Sequence, residues 1–400
     1  MAIHIGKGIL SCGLPRFARN DVGANMLIDK LKNKKEIASK DRTPAQVVVQ
    51  DVVAVKKGER VLIIANPQTS EIAQELFIAS SEEGALPTLI FQPDKTSFDN
   101  ANPEVLAAIA TEPEVCFSIS NIKLGKDPAA TANPYKTEDG QEFTHIFDYL
   151  LDGKKTMRGA WTPGITVDMM NRTAAIDYKE LGDRCKKLDQ LFQGAVNVFV
   201  TAPGGTDIKI PVKGRKLMFD DGDFTKPGSG GNIPAGEVFI SPLVGGSEGV
   251  IVYDGSMTFA DGDSILETPI TCLVENGFVK SVEGGAEAKR LLKTITEAEQ
   301  RAVTYEKEKK LPEGQGAVYK KNARNIGELG IGLNPAAQIT GNMLEDEKAF
   351  HTCHFAIGEN YDNDAPSLIH LDGVVRDPTI TLEYGDGSKK QILVRGELQL

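Results

Sequence analysis

Five side chains in the second half of the sequence have the types and spacing of metal ligands. His370 and Asp372 stand two residues apart in a strand-like run, so their side chains point to the same face. His354 has apolar neighbours, and burial there favours a neutral imidazole that can bind a metal. Glu237 and Glu328 each stand alone in an apolar stretch bounded by glycine, and buried acids are rare unless they are paired or bind a metal. Two histidines and three carboxylates suit zinc, cobalt, manganese or iron better than calcium.

Each of these residues also has a purely structural interpretation. A lone His-x-Asp pair is weak evidence, since a histidine in an apolar run is more often a satisfied structural residue. Taken singly, Glu237 and Glu328 suit ordinary surface positions. Cys353 beside His354 would give a nucleophilic Cys/His pair, but adjacent strand residues point to opposite faces, which argues against that pair. The metal interpretation therefore depends on all five residues occurring together.

The elements that must position these side chains change in style along the chain. In the first half, strand-like runs such as 61–65 alternate with helical stretches, a pattern typical of a parallel sheet covered by helices. The strand-like run 196–200 is assigned to this half. In the second half, short alternating strands and turn signals predominate, with one long helix over about 286–307. We therefore predict an α/β N-terminal domain over residues 1–200, followed by an α+β, antiparallel-strand-rich catalytic domain over residues 201–400.

Composition and missing motifs exclude several classes of function. The chain has 45 Lys and Arg against 56 Asp and Glu, a net charge of -11, which is the wrong sign for nucleic acid or an anionic membrane. No strand is followed by a glycine-rich dinucleotide or triphosphate loop, so no nucleotide cofactor is expected. The sequence contains neither a membrane-spanning apolar run nor a recognisable signal peptide. Its 5 scattered cysteines indicate neither a disulfide framework nor a thiolate zinc site, and we expect a cytoplasmic protein.

The single tryptophan lies outside the ligand set. Trp161 occurs in the segment 158–164, which also contains two glycines and a proline. We interpret it as a packing residue of the core or of a cavity wall rather than as a ligand-binding residue, because an indole ring contributes mostly through its large buried area.

Five blocks of sequence in the second half occur in an informative order. They span residues 230–238, 327–335, 346–348, 354–358 and 370–372. In this order they resemble the M29 family of metallopeptidases, the thermophilic-type aminopeptidases T, S and PepS. The resemblance is strong over about residues 228–375 and only general in the first half. It implies a cytosolic homodimer with an N-terminal α/β domain and a C-terminal catalytic domain that holds two divalent metals in an enclosed cavity.

The resemblance also assigns roles to individual residues. The implied metal ligands are Glu237, Glu328, His354, His370 and Asp372, each of the expected residue type. The implied cofactors are two divalent ions, zinc or cobalt, with manganese as a further option.

Tyr361, Glu347 and His351 lie near these ligands in the sequence. Tyr361 falls where the peptidases have a tyrosine close to the metals, and its alternative is a tyrosine in a surface turn. Glu347 is a second candidate for stabilising an oxyanion or moving protons, although Glu347 and Lys348 also suit an ordinary surface ion pair. Where the family usually has Gly-Thr-x-His, this chain has His351 in place of the glycine, which predicts a narrower pocket.

The ligand set and the resemblance together predict a dinuclear-metal aminopeptidase that removes N-terminal residues from short peptides by means of a metal-activated hydroxide. The alternative is a mononuclear Fe(II) ring-opening dioxygenase of the 2,5-dihydroxypyridine type on a related fold, with His354, His370 and Asp372 as its ligands. In those dioxygenases the acid that matches Glu328 is a histidine and the residue that matches His354 is not. This chain keeps the peptidase residue at both positions, which favours hydrolysis.

Overall fold

In the computed structural model the chain is described over residues 42–96 and 99–400. Residues Pro44–Leu400 form one compact unit. The α-helices are α1 (Pro44–Val47), α2 (Ser70–Glu82), α3 (Pro103–Ile109), α4 (Pro128–Ala132), α5 (Ile146–Asp148), α6 (Val167–Thr173), α7 (Tyr178–Phe192), α8 (Ala286–Lys307), α9 (Gln315–Asn322) and α10 (Met343–Asp346). Within the described ranges, no helix is long and apolar enough to cross a lipid bilayer.

The strands are named in chain order. They are β1 (Arg60–Ala65), β2 (Leu86–Phe91), β3 (Val115–Ile119), β4 (Tyr135–Lys136), β5 (Glu142–Phe143), β6 (Arg158–Trp161), β7 (Ala195–Thr201), β8 (Asp207–Pro211), β9 (Met218–Asp220), β10 (Gly230–Asn232), β11 (Glu237–Ile240), β12 (Glu248–Tyr253), β13 (Ser256–Phe259), β14 (Gly262–Ile265), β15 (Ile270–Glu275), β16 (Phe278–Glu283), β17 (Ile326–Gly332), β18 (Thr352–Gly358), β19 (His370–Arg376), β20 (Thr379–Tyr384), β21 (Lys389–Val394) and β22 (Glu397–Leu398). They form one parallel sheet, two large antiparallel sheets and the small hairpin β4–β5.

The parallel sheet has the strand order β10-β6-β3-β1-β2. Strand β3 is buried along its whole length and β1 along all but its first residue. Strands covered on both faces form continuous apolar runs, which is why these two were recognisable in the sequence. Helix α2 follows β1 and turns Ile72, Ala73 and Leu76 into the core. The predicted α/β character of the first part of the chain is confirmed.

Two strands belong to a different sheet from the one that their position in the sequence suggests. Strand β7, which we assigned to the α/β half, lies in the eight-stranded antiparallel sheet β16-β15-β12-β8-β7-β20-β21-β22. The short connection from β7 to β8 allows only antiparallel pairing, and this takes β7 out of the parallel sheet. Strand β10 comes from the second half and pairs in parallel with β6. Its residues, Gly-Gly-Asn, carry no hydrophobic pattern from which a strand could be predicted.

The largest hydrophobic core contains residues from both halves of the described chain, from Ala45 to Leu393. Helix α8 covers the eight-stranded sheet with Leu291 and Ile295 buried beneath it, as its helical periodicity predicted. The domain boundary at residue 200 stays a prediction.

The third sheet is antiparallel and has the order β14-β13-β19-β18-β17-β11-β9. Its central strands β17 and β18 are buried at every residue. All five candidate metal ligands lie on four neighbouring strands of this sheet, β11, β17, β18 and β19.

Candidate metal centre

The register of the seven-stranded sheet brings the five candidate ligands to one face. The directly opposed pairs are Glu237–Gly332, Gly330–His354, Glu328–Ala356, Ala356–Asp372 and Gly358–His370. Opposed residues in an antiparallel sheet point to the same side, so all five side chains rise from one surface. On one neighbouring strand the residue opposite each ligand is glycine or alanine, which leaves room above the sheet for the ligand side chains to converge.

The ligand atoms approach one another in two groups that share Glu328. Nε2 of His354 lies 3.2 Å from Oε1 of Glu328 and 3.3 Å from Oε2 of Glu237. Nε2 of His370 lies 3.3 Å from Oε2 of Glu328 and 3.2 Å from Oδ1 of Asp372. Each oxygen of Glu328 therefore faces a different histidine.

The spacing within each group fits the donor set of a metal ion. Nitrogen and oxygen ligands about 2.0–2.1 Å from a tetrahedral ion are about 3.3 Å from one another. In the described ranges, two groups place their ligand atoms within 4.8 Å: Glu237 with Glu328 and His354, and Glu328 with His370 and Asp372. Oε2 of Glu237 and Oδ1 of Asp372 are buried without a hydrogen-bond partner among the described residues. Buried oxygens of this kind are expected where a cation completes the site.

A backbone carbonyl determines the tautomer of His370. Its Nδ1 lies 2.9 Å from the carbonyl oxygen of Glu359, so Nδ1 donates a proton to that carbonyl. When Nε2 has lost its proton, its lone pair is directed to the side on which Glu328 and Asp372 lie, as in metal-binding histidines.

Burial and mutual contacts shift the pKa values of the ligands in opposite directions. Burial acts to raise the pKa of Glu328, but hydrogen bonds to His354 and His370 outweigh burial and lower it. Burial also acts to raise the pKa of Asp372, but the charge of His370 outweighs burial and lowers this pKa to about 2. Burial acts to lower the pKa of His354, but the hydrogen bond to Glu328 and the charge of Glu237 raise it to about 9. The carboxylates thus hold positive charge at this site strongly.

Lys348 is part of the centre and does not form a surface ion pair with Glu347, so the surface interpretation is wrong. Its side chain is 0% exposed, and its Nζ lies 3.2 Å from Oε1 of Glu237 and also bonds to Glu347. Burial acts to lower the pKa of Lys348, but the charges of Glu237, Glu347 and Asp220 raise it. A charged lysine therefore holds one oxygen of Glu237 and leaves the other directed toward His354.

Asp220 is a further carboxylate at this centre, which sequence analysis missed. It ends β9 and lies directly opposite Glu237. Both of its carboxylate oxygens are buried without a hydrogen-bond partner among the described residues. Burial, partly offset by the charge of Lys348, raises the pKa of Asp220 to about 7. Its neighbours in sequence, Asp-Gly-Asp, are typical of an exposed turn and gave no signal of a buried site.

Tyr361 lies in the connection between β18 and β19, beside one of the ligands. Its ring centre is 5.3 Å from that of His370 and 5.0 Å from that of Phe239, although 53% of the residue is exposed. Desolvation and then the carboxylates of the centre raise the pKa of Tyr361, so its phenol is neutral and can donate a hydrogen bond. Arg215 holds this connection through a 2.7 Å hydrogen bond to Asp364.

His351 makes its contacts away from the ligands. Its Nδ1 lies 3.3 Å from the carbonyl oxygen of Gly396 and 3.5 Å from a carboxylate oxygen of Glu397. These contacts give no support to a narrowed pocket. The backbone of His351 has φ +66°, a conformation that glycine adopts more readily than other residues. This conformation accounts for the glycine that the peptidases usually have at this position.

Comparison with known families covers all five candidate ligands. A family model described as NicX, 2,5-dihydroxypyridine 5,6-dioxygenase, matches residues 166–399, which is more than half of the chain. The chain belongs to the NicX family. No curated protein matches the sequence.

Two solved structures share the fold. The structure of 2,5-dihydroxypyridine dioxygenase from Pseudomonas putida KT2440 matches with a TM-score of 0.63 and 17% sequence identity, covering 89% of this chain and 96% of that one. Wild-type AmpT from Thermus thermophilus matches with a TM-score of 0.62 and 17% identity, covering 89% of this chain and 98% of that one. At this identity the similarity establishes the fold alone. Together, the family, the fold and the donor set indicate a metal-binding enzyme.

Proposed function

We propose that this chain is a two-metal hydrolase of the aminopeptidase type. The observation that carries the proposal is the carboxylate of Glu328, which turns one oxygen toward His354 and the other toward His370. A carboxylate shared in this way suits a centre of two ions about 3.5–4 Å apart. Glu237 completes the first group of ligands and Asp372 completes the second.

The residues around the ligands suit hydrolysis of an amide bond. Two bound divalent ions, zinc or cobalt, or manganese, would supply Lewis acidity and lower the pKa of water toward 7. Lys348 holds Glu237 and offsets one negative charge. The neutral phenol of Tyr361 can donate a hydrogen bond to a carbonyl oxygen that gains negative charge. Burial raises the pKa of Glu347, a group that lies within the electrostatic influence of Asp372 and suits the acceptance and return of a proton.

The substrate class is part of the same proposal. Resemblance to the M29 peptidases over residues 228–375 supports short peptides with a free N-terminus, and the fold shared with AmpT is consistent with it. A homodimer belongs to this proposal on the same resemblance.

A mononuclear iron dioxygenase is the second candidate. The family model and one of the two solved structures carry the name of 2,5-dihydroxypyridine dioxygenase, so the comparisons favour this candidate over the aminopeptidase. Two histidines and one carboxylate on a single iron would require His354 and His370 in one group. Among residues 42–96 and 99–400, the two histidines fall in different groups, each with two carboxylates. We place the hydrolase first because of this grouping.

Metal content and turnover, measured on the same preparation, test the proposal. We expect about two divalent ions per chain, and hydrolysis of leucine p-nitroanilide and short peptides that a chelator abolishes and added zinc or cobalt restores. Glu328→Gln should lower kcat at least about a hundredfold and reduce the content of both ions, whereas Glu237→Gln should chiefly reduce one.

Glu275→Gln, at the exposed end of β15, is the matched control and should behave as the unchanged chain. A single iron per chain, oxygen uptake with dihydroxypyridines and no peptide hydrolysis would refute the hydrolase and establish the second candidate.

A further inference from the structure

A cavity with no lining residue in common with the metal centre lies in the parallel-sheet part of the molecule. It has a volume of about 680 Å³ and lies beyond the carboxyl ends of β3 and β6, where Ser118, Ser120 and Thr162 line it. Open α/β sheets bind small ligands outside the carboxyl ends of their strands. The volume is in the range of cavities that hold small organic molecules.

Thr162 provides the observation that points to a ligand. The residue is 2% exposed, and its Oγ1 is buried without a hydrogen-bond partner among the described residues. The neighbouring hydroxyls of Ser118 and Ser120 are 2.9 Å apart, so one of them donates a hydrogen bond to the other. A buried hydroxyl without a partner is unfavourable, and a polar atom of a molecule in the cavity would pair with it.

The apolar part of the lining is aromatic and rigid. The rings of Phe147 and Trp161 pack edge to face with their centres 6.0 Å apart, and the buried Leu151 lies next to them in the lining. Trp161 keeps part of its surface accessible. These side chains would contact an apolar group of a ligand through dispersion and area burial.

Charges of both signs line the cavity at exposed positions. Lys123 and Lys126 come from the segment after β3, and Asp148 and Asp152 come from the segment that begins with α5. The buried Asp127 also lines the cavity, so three carboxylates face two lysines and a polyanion such as a nucleotide would bind weakly here. In a molecule with one positive and one negative group, the positive group is attracted to the aspartates and the negative group to the lysines.

We propose that this cavity binds a small zwitterion with an apolar side chain, a free hydrophobic α-amino acid. The ammonium group is attracted by Asp148 and Asp152, and the apolar side chain packs against the aromatic lining. A carboxylate oxygen accepts the hydrogen bond that the Thr162 hydroxyl otherwise lacks. The site does not depend on the reaction at the metal centre.

Trp161 allows a direct test, because it is the single tryptophan of the chain and lines this cavity. Titration of the full chain with L-leucine or L-phenylalanine should change tryptophan emission saturably. N-acetyl-L-leucinamide, which has the same side chain and no charges, should bind at least about tenfold more weakly. Thr162→Val and Asp152→Asn should each raise the dissociation constant about fivefold or more.

Two control variants make the result decisive. Asp183→Asn, on the exposed face of α7, should bind like the unchanged chain. Glu328→Gln should keep the emission change, because its defect lies in the metal centre, and circular dichroism establishes that every variant is folded. The proposal is overturned by an absent response to both amino acids at millimolar concentration. It is equally overturned by equal binding of the uncharged analogue, by unchanged affinity in both cavity variants, or by loss of the response in Glu328→Gln.

Discussion

At the scale of single residues, the metal centre contains more negative charge than its ligands alone supply. Asp220 and Glu347 add two carboxylates next to Glu237, and the buried ammonium of Lys348 lies among them. Lys348 is satisfied by Glu237 and Glu347, whereas Asp220 has no hydrogen-bond partner in the described chain. Of these carboxylates, Asp220 is therefore the one whose ionisation should lower the free energy of unfolding most.

The pH dependence of stability should reveal this cost. The pKa of Asp220 is about 7 in the folded chain against 3.8 for an ordinary aspartate, so the folded chain binds this proton more tightly. The stability contributed by the protonated group is fully present below pH 3.8 and is lost as the pH rises through 7. Asp220→Asn should consequently stabilise the chelator-treated protein by about 2 kcal/mol more at pH 8 than at pH 5, measured by urea unfolding. Asp183→Asn is the control, and an equal effect of Asp220→Asn at both pH values would contradict the prediction.

The candidate ligands were predictable because each is a polar residue in an otherwise apolar run. His354 and Glu328 could be identified in this way, and the structure brings both into one group with Glu237. Lys348 could not, because a lysine beside a glutamate is indistinguishable in sequence from a surface ion pair. Asp220 was hidden for the opposite reason, since it begins an acidic, glycine-containing turn and only its pairing with β11 takes it inside.

At the scale of elements, the glycines of β17 determine how closely the ligand strands approach. A Cβ atom at Gly330 would overlap the imidazole of His354, whereas a Cβ atom at Gly332 would overlap the backbone carbonyl of Ala349. The first neighbour is the buried ring of a candidate ligand, and the second is main chain in the turn that precedes β18.

The two substitutions should therefore fail in different ways. Gly330→Ala should lower metal content and turnover by about a hundredfold, because the added Cβ atom displaces the ring of His354 from its position among the ligands. Gly332→Ala should instead lower the free energy of unfolding by about 1–3 kcal/mol, seen as a reduced Tm. Metal analysis and thermal unfolding of both variants provide the comparison, and two indistinguishable variants would show that these glycines do not have separate roles.

The types of the elements were easier to predict than their partners. Helix α8 has the bounds that its apolar periodicity predicted. Strand β7 pairs with β8 across a short turn, but its other partner, β20, is nearly 180 residues away in sequence, and no local pattern encodes that second pairing. Strand β10 is held by backbone hydrogen bonds to β6 and has no side-chain pattern to read.

At the scale of the whole molecule, links across residue 200 tie the two halves together. Strand β7 pairs with β20, β10 completes the parallel sheet, and Arg172 of α6 bonds through both terminal nitrogens to the buried Glu345 of α10. The halves should consequently unfold in one transition, with calorimetric and van't Hoff enthalpies in agreement. A fragment of residues 1–200 should not fold alone, since it lacks β10 and both partners of β7. Two separate transitions, or a folded fragment, would instead establish a boundary at residue 200.

Metal ions and protons compete for the imidazole nitrogens of the two histidines that face Glu328. Burial opposes both shifts, but the neighbouring carboxylates raise the pKa of His354 to about 9 and the pKa of His370 above its usual value, so both rings hold a proton more tightly than a free imidazole does. An ion can reach either Nε2 only when that proton leaves. Filling both positions should release about two protons, and the overall binding constant should change about a hundredfold per pH unit. The acidity of the surroundings would then govern the fraction of loaded protein as strongly as the supply of metal does.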